Sequence, residues 1–187
     1  MVDDLLNVSR IQSHKIGLTL EKVKLSEVLE EALSLAKEYA DKHEFVLDVE
    51  PDIPIVLVDR DKLGQVVGNL LSNAIKYSLN GGCITLSVHY QSEKHQIVIS
   101  IADEGIGISP ADKDSLFTTF HRIQRPETQG IRGSGLGLYI AKEWTEAMGG
   151  KIWLESELNK GSTFFIAIPT LASIVTRDKS YTHSGQP

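Results

Sequence analysis

Long apolar runs, paired cysteines and clusters of basic residues are all missing from this sequence of 187 residues. No apolar run approaches the length of a membrane span, and the start has no signal-peptide pattern. Cys83 is the single cysteine, which excludes an internal disulfide and suits a reducing compartment. The net charge of −6, without a basic stripe, argues against nucleic acid as the main partner. We therefore expect a cytoplasmic globular protein, in which a polyphosphate ligand would need local cations or a metal ion.

Several familiar phosphate and metal motifs are also absent. The sequence contains neither a Gly-x-x-x-x-Gly-Lys-[Ser/Thr] P-loop nor the His-Arg-Asp catalytic loop of eukaryotic-type protein kinases. The glycine triplet Gly133, Gly135 and Gly137 is not a dinucleotide fingerprint, because Leu138 follows it and a loop, rather than a strand, precedes it. The six histidines show no metal-ligand spacing. A nucleotide site in this chain must therefore be built in another way.

Hydrophobic periodicity predicts a chain of mixed helices and strands. Hydrophobic residues make up 41% and charged residues 24% of the sequence, as in ordinary globular domains. Apolar spacing of 3.6 residues predicts helices near residues 1–13, 27–41, 61–78 and 134–148. Alternation predicts strands near residues 45–49, 55–58, 84–90, 97–103, 152–154 and 163–168. We expect Ser26 to cap the second helix, and an α/β two-layer sandwich: a mixed, mostly antiparallel sheet of about five strands with three main helices on one face.

The helix predicted at residues 61–78 carries polar residues beside its apolar stripe. Asn69 and Asn73 lie four residues apart and therefore on one face, with Lys76 next to them and Tyr77 at the boundary of the stripe. Two amides at such positions are poor helix formers and could simply be exposed polar residues. An amide oxygen is also a hard neutral ligand for Mg²⁺. The glycine clusters described next favour the metal interpretation.

Asp103 follows a strand whose alternating residues are Ile97, Ile99 and Ile101. The period of two places Asp103 on the same buried face, where a carboxylate is costly unless it has a partner. The sequence Asp-Glu-Gly at 103–105 could alternatively start a turn. A carboxylate on the buried face can accept a hydrogen bond from an exocyclic amine, which would select adenine over guanine.

Two glycine clusters, residues 103–107 and 133–138, enclose a long loop at residues 109–133, which we call the lid loop. Backbone N–H groups exposed by glycine at the start of a helix form an anion site. We predict a short helical piece in the lid loop, near residues 111–117. Loops of this length are usually functional or disordered. The lid loop contains two phenylalanines that we interpret as packing residues, and three arginines that are either solvated or paired with phosphate: Phe117, Phe120, Arg122, Arg125 and Arg132.

Together these motifs resemble the ATP-binding catalytic domain of bacterial sensor histidine kinases, the Bergerat fold shared with type II topoisomerases, heat-shock chaperones and mismatch-repair ATPases. The resemblance covers about residues 23–169. It consists of an asparagine box, a first glycine box, a phenylalanine box and two further glycine boxes, at residues 65–78, 103–107, 117–122, 133–138 and 161–164.

The resemblance implies a role for each matching residue. Asn73 would hold Mg²⁺ with help from Asn69, and Asp103 would bind the adenine amine with support from Thr163. The implied catalytic residues are Asn69, Asn73 and Arg122. The implied ATP contacts are Asn69, Asn73, Lys76, Tyr77, Asp103, Gly105, Gly107, Ile108, Arg132, Gly133, Ser134, Gly135, Leu136, Gly137, Leu138 and Thr163.

The resemblance also implies partners that this chain does not supply. In this family the phospho-acceptor lies in a dimerising helical hairpin with a His-Glu-x-x-Thr-Pro-like box, and no histidine here has that context. We expect residues 1–22 to be the end of that hairpin and a linker, residues 23–170 the ATP-binding domain, and residues 171–187 a flexible tail. The expected partners are ATP, the hairpin and a response regulator, with a homodimer only in the full-length protein, which could be membrane-bound.

Three rival interpretations remain. An ATP-hydrolysing clamp usually has a Glu as general base where Asn69 stands, and an amide cannot take up a proton. A related serine kinase acting on a protein partner does not account for the hairpin-like start of the chain. A nucleotide-binding regulator without catalysis would not need the complete set of boxes.

Overall fold

The computed structural model describes residues 2–13, 16–123, 125–131 and 133–171 of the protein. The helices are α1 Val2–Gln12, α2 Leu25–Lys37, α3 Arg60–Tyr77, α4 Pro110–Lys113 and α5 Gly137–Ala147. The strands are β1 Glu21–Val23, β2 His43–Val49, β3 Val56–Val58, β4 Gly82–Gln91, β5 Gln96–Asp103, β6 Lys151–Glu157 and β7 Gly161–Pro169. Short 3-10 helices occupy Ser92–Lys94 and Pro126–Thr128.

The main sheet has five strands in the order β2-β4-β5-β7-β6. Strand β2 is parallel to β4, and every other neighbouring pair is antiparallel. Strand β5 is therefore the central strand, hydrogen-bonded on both sides, and it ends at Asp103. The predicted mixed, mostly antiparallel five-stranded sheet is confirmed.

A second, two-stranded sheet was not predicted. Strands β1 and β3 pair antiparallel, with Val23 opposite Val56, and an isolated bridge joins Val56 to Thr170. Strand β3 was predicted near residues 55–58, but its partner β1 has three residues and is too short to show a recognisable alternation. This small sheet ties the segment before α2 and the end of β7 to the segment before α3.

The core lies between the five-stranded sheet and helices α2, α3 and α5. Side chains alternate along β4 and β5, so that one face of the sheet is fully buried while Thr85, Ser87 and Ser100 on the other face are only partly buried. The fully buried face consists of Ile84, Leu86, Val88, Ile97, Ile99 and Ile101. This is the predicted two-layer sandwich, with the three main helices packed on one layer.

Several helix ends differ from the prediction. Helix α2 starts at Leu25 after Lys24, which makes no side-chain cap, so Ser26 lies inside the first turn and does not cap the helix. It also ends at Lys37, four residues before the predicted end. In the lid loop, the helix predicted near residues 111–117 is the four-residue α4, which ends at Lys113, and a 3-10 helix follows at Pro126–Thr128. Helix α5 starts at Gly137 rather than at residue 134.

Helix α1 packs against α5 and buries Val8 and Ile11. The assignment of residues 1–22 to a dimerisation hairpin stays a prediction, and the predicted tail lies outside the described residues from residue 172 onward. Among the helices that the structure describes, none is both long enough and apolar enough to cross a membrane.

Candidate nucleotide site

Helix α3 positions the polar residues of the site, and a capping carboxylate fixes its first turn. At its start, the Asp59 carboxylate accepts hydrogen bonds from Lys62 N at 3.0 Å and from Thr19 N at 2.9 Å. The first bond is an N-cap, and the second attaches the segment before β1 to the same carboxylate. The buried stripe of α3 packs in the core, so its polar face, with Asn69, Asn73 and Lys76, borders a cavity.

Asn69 connects α3 to the start of α5. Its Nδ2 donates a hydrogen bond to the carbonyl oxygen of Gly137 at 3.2 Å. A Cβ atom at Gly137 would contact the Asn69 amide at 3.5 Å, so the two helices approach closely here. The Asn69 amide nitrogen therefore holds the second glycine cluster (residues 133–138) against the asparagine face of α3.

Asp103 lies at the end of β5, between Ile84 of β4 and Ser162 of β7. Only 8% of its surface is exposed, as the alternation of β5 predicts. Its Oδ1 accepts a hydrogen bond from Gly105 N at 2.9 Å. Burial raises the pKa of the Asp103 carboxyl to about 6, and hydrogen bonds with the backbone of Gly105 and Ser162 limit that rise.

The segment after Asp103, residues 104–108, is held by backbone contacts on both sides. Ile106 N donates to the carbonyl oxygen of Tyr77 at 3.1 Å, and Asn159 N donates to that of Ile106 at 2.8 Å. Gly107 has a φ of +62°, and a Cβ there would overlap the carbonyl oxygen of Glu157. Glycine is therefore needed at 107 to pack this segment against the β6–β7 turn.

A contact between Arg125 and Asp112 joins the two halves of the lid loop. Arg125 Nη2 lies 2.8 Å from Asp112 Oδ2, which also accepts from Ser109 Oγ at 2.6 Å. Arg125 Nη1 donates to the carbonyl oxygen of Gly107 at 3.3 Å. The hydrogen bond from Ser109 and the pairing with Arg125 lower the pKa of the Asp112 carboxyl. The contact thus attaches the lid loop to the segment after Asp103.

The opposite end of the cavity is formed by the second glycine cluster, the lid loop and α1. Arg122 donates to the carbonyl oxygen of Ile131, so this predicted catalytic arginine is bonded to the lid backbone. Ser134 Oγ donates to Asp4 Oδ2 at 3.2 Å and accepts from Leu136 N at 3.3 Å. Asp4 of α1 therefore lies in contact with the second glycine cluster.

These elements surround a cavity of about 840 Å³, a volume typical of small-molecule sites. Most of the predicted site residues border it. They are Asn69, Asn73, Lys76, Tyr77, Asp103, Gly107, Ile108, Arg122, Gly133, Ser134, Gly135, Gly137 and Leu138. The structure brings these side chains together from α3, β5, the lid loop and α5, although they span 70 positions of the sequence.

Three predicted site residues do not border the cavity. Thr163 lies on the other face of β7, because successive side chains of a strand alternate, and Ser162 stands at the cavity instead. Leu136 is 1% exposed and belongs to the core. Gly105 contributes through its N–H bond to Asp103. Arg132 lies outside the described residues.

Other residues border the cavity that the sequence did not indicate. Asp4 reaches it from a helix more than 120 positions away from the second glycine cluster, a distance that no local pattern reveals. Ser162 could have been found, because Phe164, Ile166 and Ile168 mark the buried face of β7 and Ser162 continues it. The remaining additions are Ser72, Ile106, Leu116, His121, Ile123, Thr128, Gln129, Gly130, Ile131 and Phe164.

The donors at the cavity suit a hard cation held together with phosphate. Within the described ranges, no group of three or more His, Cys, Asp or Glu side chains could hold a metal ion by itself. Asn73 offers an amide oxygen beside the Lys76 ammonium, and Mg²⁺ usually keeps several water and phosphate ligands with few protein ones. The residues therefore fit a Mg²⁺ ion that arrives with a nucleotide.

Comparison with known proteins agrees with this geometry. Residues 58–172 match the family of histidine kinase-, DNA gyrase B- and HSP90-like ATPases. The sensor histidine kinase WalK of Bacillus subtilis (strain 168) is 35% identical over 170 residues, which are 90% of this chain and 28% of that protein. The adaptive-response sensory kinase SasA of Synechococcus sp. (strain JA-3-3Ab) is 35% identical over 172 residues, 90% of this chain and 45% of that protein.

The crystal structure of full-length ShkA in complex with AMPPNP has the same fold. It matches with a TM-score of 0.78 and 27% sequence identity, over 90% of this chain and 35% of that one. The chain thus spans less than half the length of each of these proteins. It belongs to the histidine kinase-, DNA gyrase B- and HSP90-like ATPase family, and within that family to the ATP-binding catalytic domains of sensor histidine kinases.

Proposed function

We propose that this domain binds Mg-ATP in the cavity and transfers the γ-phosphoryl group to a histidine on a dimerisation hairpin outside this chain. One observation carries the proposal. A single cavity is bordered by a buried carboxylate, Asp103, and by the amide and ammonium groups of Asn73 and Lys76 together with the second glycine cluster. This arrangement matches the two chemically different ends of ATP.

The adenine end consists of Asp103, Tyr77 and residues 104–108. One oxygen of Asp103 is held by Gly105 N, so the carboxylate has a fixed orientation. An ionised carboxylate there accepts a hydrogen bond from the adenine amine, whereas the carbonyl of guanine would meet it as a second acceptor. Tyr77 packs beside the base. The adenine end therefore selects and orients the nucleotide.

The phosphate end consists of Asn73, Lys76, the lid loop and the second glycine cluster. Asn73 would hold Mg²⁺, which neutralises phosphate charge when bound. Lys76 and Arg122 supply positive charge, and the N–H groups before α5 offer an anion site. Phosphoryl transfer needs mainly positioning and charge neutralisation from the protein, and these groups provide both.

ATP hydrolysis and serine phosphorylation are the competing activities. Hydrolysis needs a general base to activate water, and α3 presents amides, not carboxylates, to the cavity. The nitrogen of Asn69 is bonded to Gly137, so this amide serves to hold α3 and α5 together. These observations favour transfer to a protein partner.

The wider assignments rest on the same resemblance. We infer that the domain works in the cytoplasm, that the full-length kinase is a homodimer, and that a response regulator receives the phosphoryl group from the hairpin. We assign it no nucleic-acid partner, in keeping with its net charge of −6. Relatives named as sensor kinases support this setting.

A labelling experiment tests the proposal. The domain is incubated with Mg-ATP labelled at the γ-phosphate and with a hairpin polypeptide that carries the acceptor histidine box. We expect acid-labile, alkali-stable label on the hairpin, lost when the acceptor histidine is replaced by Gln or when Asn73 is replaced by Ala. The domain alone should incorporate no label. Label on serine, or release of phosphate without labelled protein, would instead support the serine-kinase or the ATPase activity.

A further inference from the structure

A serine on the edge strand β6 lies behind the adenine end without bordering the cavity. Ser156 continues the face of β6 that carries Ile152 and Leu154, and it stands opposite Ser162 of β7 in the sheet. Ser162 in turn stands opposite Asp103 of β5. One row across three neighbouring strands therefore carries two hydroxyls and the buried carboxylate, and Ser162 and Asp103 are the two members of this row that border the cavity.

The hydroxyl of Ser156 makes three polar contacts. Its Oγ accepts a hydrogen bond from Ile108 N at 2.8 Å and donates one to the carbonyl oxygen of Gly161 at 2.8 Å. It also lies 3.0 Å from the Oγ of Ser162. The segment that follows Asp103 and the start of β7 are thus attached to one and the same hydroxyl.

The direction of the contact between the two serines follows from their hydrogens. A hydroxyl has one hydrogen and two lone pairs. The hydrogen of Ser156 goes to Gly161, so the 3.0 Å contact is a hydrogen bond only if Ser162 is the donor. Because its hydrogen is directed at Ser156, the Ser162 oxygen offers only lone pairs to the cavity, beside the carboxylate of Asp103.

Two neighbouring acceptors suit a primary amine. Side chains that stand opposite each other on antiparallel strands have Cβ atoms about 4.5–5.5 Å apart, so Asp103 and Ser162 can face one small group. The 6-amino group of adenine has two hydrogens to donate, whereas a carbonyl at the same position of the base would meet two acceptors. If Ser162 turned its hydrogen towards the cavity, it would instead stabilise that carbonyl. The direction of one hydroxyl therefore changes which base the site prefers.

We propose that Ser156 is a positioning residue for base selection: it fixes Ser162 as an acceptor, so that Asp103 and Ser162 together bind the two hydrogens of the adenine amine. This role rests on the proposed function, since it requires that the base lies at Asp103. Ser156 touches no ligand and acts through Ser162. Selection of adenine is thereby divided between a carboxylate and a neutral hydroxyl whose direction is set by the fold.

A purely structural role of Ser156 predicts a different result. Its hydroxyl also satisfies Ile108 N, so its loss should loosen residues 104–108 whichever way the Ser162 hydroxyl points. Such loosening should weaken the binding of different purine nucleotides by the same factor, because the same segment lies beside each base. The ratio of the affinities for two bases therefore distinguishes the two roles, whereas the affinity for one base does not.

The test is calorimetric titration of the whole chain with Mg-ATP and Mg-ITP. ITP has a carbonyl at the position of the adenine amine, and its phosphates are those of ATP, so the phosphate contribution cancels in the ratio of the two affinities. Ser156→Ala frees the hydrogen of Ser162 and should lower the ATP:ITP affinity ratio roughly fivefold, the effect of about one hydrogen bond. Ser156→Thr keeps a hydroxyl and should retain the wild-type ratio.

Arg125→Met is the matched control for loosening. Arg125 also holds the segment after Asp103, through the carbonyl oxygen of Gly107, and its other side-chain bond goes to Asp112 rather than to either serine. This substitution should therefore change the ATP and ITP affinities by the same factor and leave their ratio at the wild-type value.

A double substitution tests whether Ser156 acts through Ser162. Ser162→Ala removes the acceptor and should lower the ATP:ITP ratio by itself, and adding Ser156→Ala should lower it no further, because the two side chains act as one unit. An unchanged ratio in Ser156→Ala or in Ser162→Ala, or a further equal fall in the double variant, would overturn the inference. If the wild-type chain binds neither nucleotide, the proposed function falls as well, whereas normal ATP binding with a constant ratio removes the role of Ser156 alone.

Discussion

The two ends of the cavity are held together by different kinds of interaction. At the adenine end, Asp103 terminates the central strand β5, and the segment after it is bonded through its backbone to Tyr77 and Asn159. At the phosphate end, the described part of the lid loop contains one four-residue helix and one 3-10 helix. Within that loop Arg125 pairs with Asp112 and Arg122 donates to the carbonyl oxygen of Ile131, and Arg125 also attaches the loop to the carbonyl oxygen of Gly107.

Because of this difference, we expect recognition of the base and movement of the lid loop to reside in different elements of the domain. Paired strands resist local opening, so we expect the Asp103 carboxylate on β5 to keep its position whether or not a ligand is bound. A loop held by a few partly exposed side chains opens at low cost, as a lid over phosphates must. Under the proposed function, we therefore expect the domain to select adenine with a rigid element and to admit phosphates with a mobile one. Substitutions at the two ends should show this contrast.

The largest effect is expected for Gly161→Ala at the adenine end. Gly161 has a φ of +98°, and a Cβ there would overlap the backbone carbonyl of Asp103. The substitution should lower the free energy of unfolding by at least about 2 kcal/mol, because the β5–β7 pair must shift. Denaturant unfolding followed by circular dichroism measures this change.

Gly133→Ala is the matched control at the phosphate end. A Cβ at Gly133 would meet nothing within 4 Å. The free energy of unfolding should therefore change by no more than about 0.5 kcal/mol. Equal destabilisation by the two substitutions would mean that the phosphate end is packed as tightly as the adenine end.

The second prediction concerns Asp103→Asn. The Asn side chain keeps the shape but presents an amide donor where the adenine amine needs an acceptor, so ATP affinity should fall by about 1–3 kcal/mol, roughly 5- to 150-fold. Glu104→Gln is the control, because Glu104 bonds to Cys83 N outside the cavity and its replacement should leave ATP affinity unchanged. Calorimetry with ATP and GTP gives the result, and a folded Asp103→Asn variant with normal ATP affinity would exclude the proposed role.

The raised pKa of Asp103 predicts opposite pH dependences for stability and for binding. Burial raises this pKa from 3.8 to about 6, so the folded state holds the proton more tightly than the unfolded chain. The contribution of Asp103 to stability is therefore complete below pH 3.8 and is lost as the pH rises through 6. Adenosine binding needs the carboxylate and should weaken by up to about tenfold per pH unit below the pKa. Titrations with adenosine, which has no titrating phosphate, should show this slope in the wild-type protein and not in Asp103→Asn.

Asn73→Ala should affect the phosphate end alone. Without the amide oxygen, Mg²⁺ should no longer tighten nucleotide binding, while adenosine affinity stays at the wild-type value. Ser72→Ala is the control, since Ser72 also borders the cavity from α3 but is not predicted to bind metal. Titrations with ATP in the presence and absence of Mg²⁺ give the ratio of the two ATP affinities. A ratio in Asn73→Ala equal to the wild-type ratio would place the metal elsewhere.

The residues on long regular elements were more accessible to prediction than those of the lid loop and α1, for a physical reason. Helix α3 and strand β5 are long and periodic, so the apolar stripe placed Asn69 and Asn73 beside it, and the period of two placed Asp103 on the buried face. In each case, the position of a side chain follows from its own element. The same alternation of side chains, applied to β7, would have placed Ser162 rather than Thr163 on the buried face of the sheet.

The contacts of the lid loop and of α1 could not be predicted in that way. The pairing of Arg125 with Asp112 depends on how an irregular loop folds back, and the predicted site residues of this loop were Arg122 and Arg132, not Arg125. The contact of Asp4 with Ser134 joins residues 130 positions apart and depends on how α1 docks. Neither element has a periodicity that fixes those side chains relative to each other.

The smallest effect is expected for the contact between Arg125 and Asp112. These side chains are 19% and 32% exposed, so solvent screens the pair only in part. Asp112→Asn and Arg125→Met should each speed hydrogen exchange in the lid loop several-fold while leaving exchange in β5 unchanged. The lowered pKa of Asp112 means that the wild-type contact persists below the ordinary aspartate range and is lost only as the pH falls through that lowered value.

The pair of Lys160 and Glu157 provides the comparison for this last experiment. Lys160 Nζ and Glu157 Oε1 are 2.6 Å apart, so distance alone would make this the stronger of the two pairs. Its side chains, however, are 69% and 67% exposed. If burial and the bond to Gly107 make the Arg125–Asp112 pair the one that holds the lid loop, Glu157→Gln should leave hydrogen exchange in the lid loop unchanged. Faster exchange in β5 after Asp112→Asn would show that the lid loop and the sheet open as one unit, and the division between a rigid and a mobile end would then be wrong.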